Sequence, residues 1–254
     1  MDDATRPLWL TAFLDFPASE FDTGAAFWAR ATGWPRSPSR GALDEFTSLV
    51  PPDGADYLRL QRLGTGETRV HLDVHVADPE EAAFAAQERG ASVVRQVGPR
   101  LVVMTSPAGF EFCLVAQQRD TVPAATRWPD GHRSRVAQLC LDIPAEGHAT
   151  ELGFWAATLG GTVSGSQRPE LAWIDPAGTF PFRVVTQRLA LAQRMRAHLD
   201  IATDDLAAEV ARLREAGAVV RAVRPERTVL EAPGGTSVCV LDRDPDAVPD
   251  AGRR

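Results

Sequence analysis

The sequence has no lysine and no asparagine, only three isoleucines, and a single tyrosine. These residues have AT-rich codons, while arginine and alanine are abundant, so we expect the gene to come from a GC-rich, bacterial genome. Three cysteines, Cys113, Cys140 and Cys239, are too few and odd in number for a disulfide framework, which points to a reducing cytoplasm. No apolar run approaches the ~20 residues that span a bilayer. The acidic start Met1-Asp2-Asp3 lacks the basic opening of a secretory signal. An excess of positive charge is missing as well: the net charge is −7, which argues against nucleic acid and against an anionic membrane surface. There is no nucleophile elbow, no Gly-x-x-x-x-Gly-Lys phosphate loop and no Cys-x-x-Cys.

What is present is a sequence written twice. His71-Leu72-Asp73 returns as His198-Leu199-Asp200 and Phe27-Trp28-Ala29 as Phe154-Trp155-Ala156, both 127 residues later. Gln61-Arg62-Leu63 returns as Gln187-Arg188-Leu189, and Pro107, Gly109 and Cys113 as Pro233, Gly235 and Cys239, all 126 residues later. One register held over so long a span is a duplicated domain, not a short solenoid repeat. The 254 residues suit two domains of roughly 100–150 residues each. We expect domain one over 8–116, a Pro- and Ala-containing linker over 117–134, domain two over 135–242 and a flexible polar tail over 243–254.

Within copy one, Trp9–Phe16 reads as a strand. A helix follows with Phe21, Ala25 and Trp28 on one face and Gly33 as its stop. Strands at Glu45–Val50 and Tyr57–Leu63 flank the turn signal Pro51-Pro52-Asp53-Gly54. The order then restarts with a strand at Arg69–Ala77. Asp78-Pro79-Glu80-Glu81 opens a helix that stops at Gly90, and strands follow at Val93–Val97, Leu101–Thr105 and Phe110–Val115. Copy two repeats the pattern, with helices over His148–Leu159 and around Leu206, Val210 and Leu213. The fold class is therefore α+β, with four strand–helix–strands modules.

This order, with Phe27-Trp28 before Gly33-Trp34, Gln61-Arg62-Leu63, His71-Leu72-Asp73-Val74, Glu88-Arg89-Gly90-Ala91 and Ser106-Pro107-Ala108-Gly109 through Cys113, resembles the vicinal oxygen chelate superfamily. That group includes glyoxalase I, extradiol dioxygenases, methylmalonyl-CoA epimerase and bleomycin-resistance proteins. The subgroup it looks most like is the glyoxalase-like domain proteins. The resemblance implies βαβββ modules paired into U-shaped mixed sheets whose concave faces hold the sites. In metal-dependent members a divalent ion is held by His or Gln, Glu, His and Glu, from the first, fourth, fifth and last strands of a module pair.

Carried onto this chain residue by residue, the fifth-strand position falls on His71 and His198. Asp73 and Asp200, two residues on, share a sheet face with them, as second-shell partners or as structural pairs. The first-strand position falls on Thr11, a poor ligand, and Gln138, a possible one or an ordinary polar strand residue. The fourth-strand position falls near Arg59 or Gln61, and near Gln187; these glutamines read better as cleft-lining hydrogen-bonders than as ligands. The last-strand position falls on Cys113 and Cys239, which read as small buried hydrophobes. Glu111, opposite Ser237 in copy two, is a substitute ligand, a candidate catalytic acid or base as His71 also is, or the partner of an arginine. The metal candidates are thus His71, Glu111, Gln138 and His198, and no complete quartet stands in either copy. His75 reads as an edge-exposed residue, and Trp28 and Trp155 as core.

The leading expectation is a cytoplasmic small-molecule-binding protein, monomer or homodimer, with a degraded metal site and ligand-facing Gln61, His71, Asp73, Glu111, Gln138, Gln187, His198 and Asp200. The alternative is a divalent-metal-dependent lyase, isomerase or dioxygenase; a partner-binding module with vestigial clefts is a third reading. Because copy one alone pairs His with Glu, it is the copy expected to function if only one does.

Overall fold

The largely apolar run after the first residues folds, in a computed structural model, as β1 (Trp9–Pro17), buried along almost its whole length. The structure describes residues 3–116, 120–166, 168–175, 178–191 and 193–247. After β1, Pro17 lets the chain turn into α1 (Ala18–Thr32), whose buried face includes Phe21, Ala25 and Trp28. The helix ends where Gly33 takes a left-handed conformation, φ 74°, and its N–H reaches the Ala29 carbonyl. β2 (Phe46–Ser48) and β3 (Leu58–Leu63) follow.

The second half of copy one runs β4 (Arg69–Val76), α2 (Pro79–Gln87), β5 (Ser92–Gln96), β6 (Leu101–Thr105) and β7 (Glu111–Ala116). Asp78 caps α2 by accepting hydrogen bonds from the Glu80 and Glu81 N–H groups. Copy two runs β8 (Thr126–Arg127), β9 (Arg133–Pro144), α3 (His148–Thr158), β10 (Thr162–Gly165), β11 (Leu171–Asp175), β12 (Arg183–Leu189), β13 (Arg196–Thr203), α4 (Leu206–Glu215), β14 (Val219–Arg224), β15 (Arg227–Glu231) and β16 (Ser237–Asp242).

Two mixed sheets result, with strand orders β2-β3-β1-β4-β7-β6-β5 and β10-β11-β12-β9-β13-β16-β15-β14, β8 pairing with β9. The first half of copy one departs from the expected βαβββ pattern. Its strand counterpart to β10 is reduced to isolated bridges, Arg36 with Leu49 and Arg40 with Phe46. Pro35 and Pro38 interrupt that segment, and proline has no N–H to donate to a ladder. β8 falls inside the expected linker, the rest of which includes 117–119, outside the described residues. Of the expected tail, Asp244 and Asp246 pair with Arg133, while 248–254 lie outside the described residues.

Compactness divides the chain differently from the repeat. One unit comprises 1–12, 71–120 and 140–197; the other comprises 13–70, 121–139 and 198–254. In the first, the second half of copy one packs with the first half of copy two. Phe112 of β7 meets Phe154 and Trp155 of α3 edge-on, at 5.7 and 5.2 Å, and each such pair adds about 0.5–1.5 kcal/mol beyond its burial. Glu151 of α3, fully buried, accepts from Trp155 Nε1 and from the Ala108 N–H in the turn before β7.

In the second unit Trp28 of α1 donates through Nε1 to Thr236. Arg212 of α4 donates to the Arg30 and Ala31 carbonyls at the end of α1 and lies 3.5 Å over the Trp128 ring. Trp28 and Trp155 are both core, as their spacing predicts. Among the described residues no helix is long and apolar enough to cross a membrane.

Candidate functional site

Along β4 the side chains alternate, so Leu72, Val74 and Val76 enter the core while His71, Asp73 and His75 share the opposite face. β7 runs parallel to β4 with Asp73 beside Cys113. His71 Nε2 stands 3.6 Å from Asp73 Oδ1, and these donors and the Cys113 sulfur all lie within 4.8 Å of one another. All three residues are buried. On the same unit, Thr11 of β1 pairs its hydroxyl with His75 Nε2 at 2.9 Å. His75 is fully buried, not exposed at an edge: its ring replaces the lost water with the Thr11 hydroxyl.

Copy two builds the same grouping on β13 and β16. These strands run parallel with Asp200 beside Cys239. His198 Nε2 lies 3.3 Å from Asp200 Oδ1 and 3.7 Å from Cys239 Sγ. Gln138 of β9 donates through Nε2 to Asp200 Oδ2. Asp200 Oδ1 is buried without a hydrogen-bond partner. Gln138, His198 and Asp200, three of the residues singled out from sequence, therefore come together, and Cys239 joins them. Copy one brings together His71 and Asp73 with Cys113.

Other expected residues fall elsewhere. Glu111, half-buried, lies at the start of β7 outside the His71–Asp73–Cys113 grouping. Gln61 sits on β3 opposite Phe46, in the unit that does not contain His71. Gln187 sits on β12 opposite Leu171, in the unit that does not contain His198.

Sequence reading missed two ion pairs on buried aspartates that share the repeat register. Arg69 Nε contacts Asp15 Oδ2 at 3.0 Å, and Arg196 Nε contacts Asp142 Oδ2 at 3.0 Å. Both aspartates and both arginines stand 127 residues apart, and that recurrence was the available signal. It missed Arg183 as well, whose guanidinium lies 4.7 Å from the Trp173 ring centre and 3.3 Å from Asp175.

It also assigned nothing to His132. This imidazole bridges Asp130, through Nδ1 at 2.5 Å, and the fully buried Glu209, through Nε2 at 2.9 Å. Burial alone would lower its pKa, but the hydrogen bonds and charges of Glu209 and Asp130 outweigh this and raise it.

The residues present do not reproduce the metal quartet that the resemblance implies. The first-strand place holds Thr11 in copy one, its hydroxyl taken by His75, and the last-strand place holds a thiol in both copies. His71, Asp73 and Cys113 in copy one, and His198, Asp200 and Cys239 in copy two, each bring together an imidazole, a carboxylate and a thiol. Such a mixed N, O and S set fits a borderline divalent ion better than a hard one.

The two mixed sheets and their helices have, in tandem, the fold of the vicinal oxygen chelate superfamily. The model of the family described as "Glyoxalase-like domain" matches residues 11–115 and 138–241, and the chain belongs to that family. Among curated proteins, none matches the chain.

Solved structures share the fold. A Mn(II)-bound glyoxalase from Novosphingobium aromaticivorans superposes with a TM-score of 0.65 at 15% identity, covering 94% of this chain and 83% of that one. Homoprotocatechuate 2,3-dioxygenase from Brevibacterium fuscum, in complex with 3,4-dihydroxyphenylacetate, gives 0.61 at 12% identity, covering 96% and 86%. A variant of 4-hydroxymandelate synthase from Streptomyces coelicolor gives 0.62 at 14% identity, covering 96% and 95%.

Proposed function

We propose that the chain is a small-molecule-binding protein that takes ligands with oxygen atoms on adjacent carbons at its His–x–Asp clusters. The observation that carries this reading is the recurrence, in both copies, of a His–Asp–Cys grouping built on the same two parallel strands. A few polar groups converging at equivalent places in both copies fit a ligand-facing role. Imidazole and carboxylate atoms 3.3–3.6 Å apart offer a donor and an acceptor to neighbouring hydroxyl or carbonyl oxygens. Two of the structures with this fold are a glyoxalase and a dioxygenase complexed with a catechol, which supports the ligand class. On this reading the domains span 8–116 and 135–242, and the protein works in the cytoplasm as a monomer or homodimer.

A second reading, a divalent-metal-dependent lyase, isomerase or dioxygenase, is favoured by the convergence of three ligand atoms in each copy. An ion there would supply Lewis acidity to one ligand oxygen.

The test is a thermal-shift panel of catechols, 2-hydroxy ketones and 2-oxo acids on the purified chain. A ligand at a hundred times its Kd adds about 2.7 kcal/mol of stability, so at least one class raises the Tm. A flat panel contradicts the proposal.

A further inference from the structure

We propose that Arg40 and Arg59 form an anion subsite in the first half of copy one, which takes the carboxylate of a ligand whose aromatic body rests on Phe46. The inference stands independently of any ligand at the His–x–Asp clusters.

Alternation along β3 separates its two faces. Leu58 and Leu60 are fully buried, and the Arg62 guanidinium lies 4.5 Å from the ring centre of Phe21 in α1, so these three face the helix. Arg59 and Gln61 therefore face away from it. β2 brings its own residues to that side, with Ser48 opposite Arg59 and Phe46 opposite Gln61. Arg40, whose backbone bridges to Phe46, donates to Ser48 Oγ at 2.9 Å and to Ser37 Oγ at 3.4 Å. One face thus collects two guanidiniums, a half-buried amide and a half-buried aromatic ring. An apolar wall with a few polar groups is the usual make-up of a small-molecule site.

The guanidiniums are held in place but not matched in charge. Arg59 lies 5.9 Å over the Phe13 ring, which meets Phe46 edge-on at 6.2 Å. The Arg59 Nε donates to Asp56 at 2.9 Å. The Arg40 side chain has only hydroxyl partners, and it forms no ion pair among the described residues. Two arginines and one aspartate leave one positive charge in excess. Desolvation and the charge of Arg59 hold the Arg40 pKa below its ordinary value, and Asp56 offsets them in part. An anion between the two guanidiniums relieves that repulsion. Arg40 is exposed, so the place is open to a ligand. Planar forks with spare N–H groups favour a carboxylate, which they bind bidentately.

Copy two shows that the fold does not require charge here. Phe13 is replaced by Cys140, 127 residues on, and Arg59 by Val185, 126 residues on. Val185 stands opposite Trp173 and Gln187 opposite Leu171, as Arg59 and Gln61 stand opposite Ser48 and Phe46. Cys140, Leu171 and Val185 form a buried apolar cluster with Trp173 packed against it. Arg183, over Trp173, is matched by Asp175 at 3.3 Å. The same ladder closes with apolar contacts in copy two and carries an unmatched cation in copy one.

The experiment titrates the full chain by calorimetry with benzoate, phenylacetate and 3-phenylpropanoate, each beside its uncharged amide, and with acetate and phenyl phosphate. At least one arylcarboxylate binds, one per chain and about 10-fold or more tighter than its amide, as charged hydrogen bonds imply. Acetate binds more weakly than that arylcarboxylate. Arg40→Gln and Arg59→Gln each weaken binding about 10-fold or more, while Arg95→Gln on β5 leaves it unchanged; circular dichroism confirms that the variants fold. If Arg59→Gln unfolds by orphaning Asp56, the Asp56→Asn/Arg59→Gln variant removes that charge and shows the same loss. Asp56→Asn alone tightens binding, because it frees the Arg59 fork, and a purely structural role for the arginines gives no such gain. No arylcarboxylate binding, equal affinity for acid and amide, acetate binding as tightly as the best arylcarboxylate, or phenyl phosphate binding tighter than every carboxylate would each overturn the proposal. So would affinity unmoved by the Arg40 and Arg59 variants, or an Asp56→Asn chain that binds no tighter.

Discussion

Gln138 and Asp200 are joined by a side-chain hydrogen bond, and the equivalent place in copy one carries a different pair, Thr11 with His75. The exchange is compensated. Where copy one has a short side chain at 11 and a ring at 75, copy two has a long amide at 138 and only Ala202 in the place of His75. At these two equivalent positions each copy carries one large and one small residue.

Thr11→Gln alone is therefore expected to overpack against His75 and cost about 1–3 kcal/mol. Adding His75→Ala makes room and recovers part of the loss. A double-mutant cycle by urea unfolding should give a coupling of about 0.5–3 kcal/mol. Strict additivity would show that the two positions do not share space.

Much of this fold was legible because its punctuation is local. Asp78 caps α2 and Gly33 ends α1 at the positions their residue types require. The missing strand in the first half of copy one was written in Pro35 and Pro38, whose effect on a ladder outweighs the repeat pattern. The site was less legible, because its partners are far apart in sequence. His75 finds Thr11 64 residues away, and the cysteines meet the His–x–Asp motif only through the parallel pairing of β4 with β7 and of β13 with β16. Alternation along one strand reveals a shared face, but not what the neighbouring strand brings to it.

Glu151 and its register counterpart Gly24 make a second pair of unlike equivalents. Glu151→Ala removes the acceptor for both the Trp155 indole and the Ala108 amide. With about 1–3 kcal/mol lost for each buried donor left without an acceptor, a loss of about 2–6 kcal/mol is expected by denaturant titration. Glu151→Gln, which keeps a carbonyl oxygen, should lose less. At Gly24 an added Cβ would lie 2.5 Å from the Phe16 ring, so Gly24→Ala is expected to cost about 1–3 kcal/mol.

His132 links stability to pH. Its folded pKa is raised, so its contribution is fully present below the ordinary histidine value of about 6.5 and is lost as pH rises through the higher folded value. The Tm should fall as pH increases across this window. His132→Gln should flatten that slope, and a slope identical in the two proteins would remove His132 as its cause.

The ion pairs Arg69–Asp15 and Arg196–Asp142 place a half-exposed guanidinium on a buried carboxylate. Arg69→Ala and Arg196→Ala should each cost about 1–3 kcal/mol. Because the arginines reach solvent, the corresponding Lys variants should retain part of the stability in the same unfolding measurement.

The central claim, that the His–x–Asp clusters are where small molecules bind, is tested most directly by comparing the thermal-shift panel on the wild-type chain and on the His71→Ala/His198→Ala double variant. The account predicts that a compound with oxygens on adjacent carbons raises the Tm of the wild type and leaves the folded double variant unmoved. Equal shifts in both proteins would contradict it.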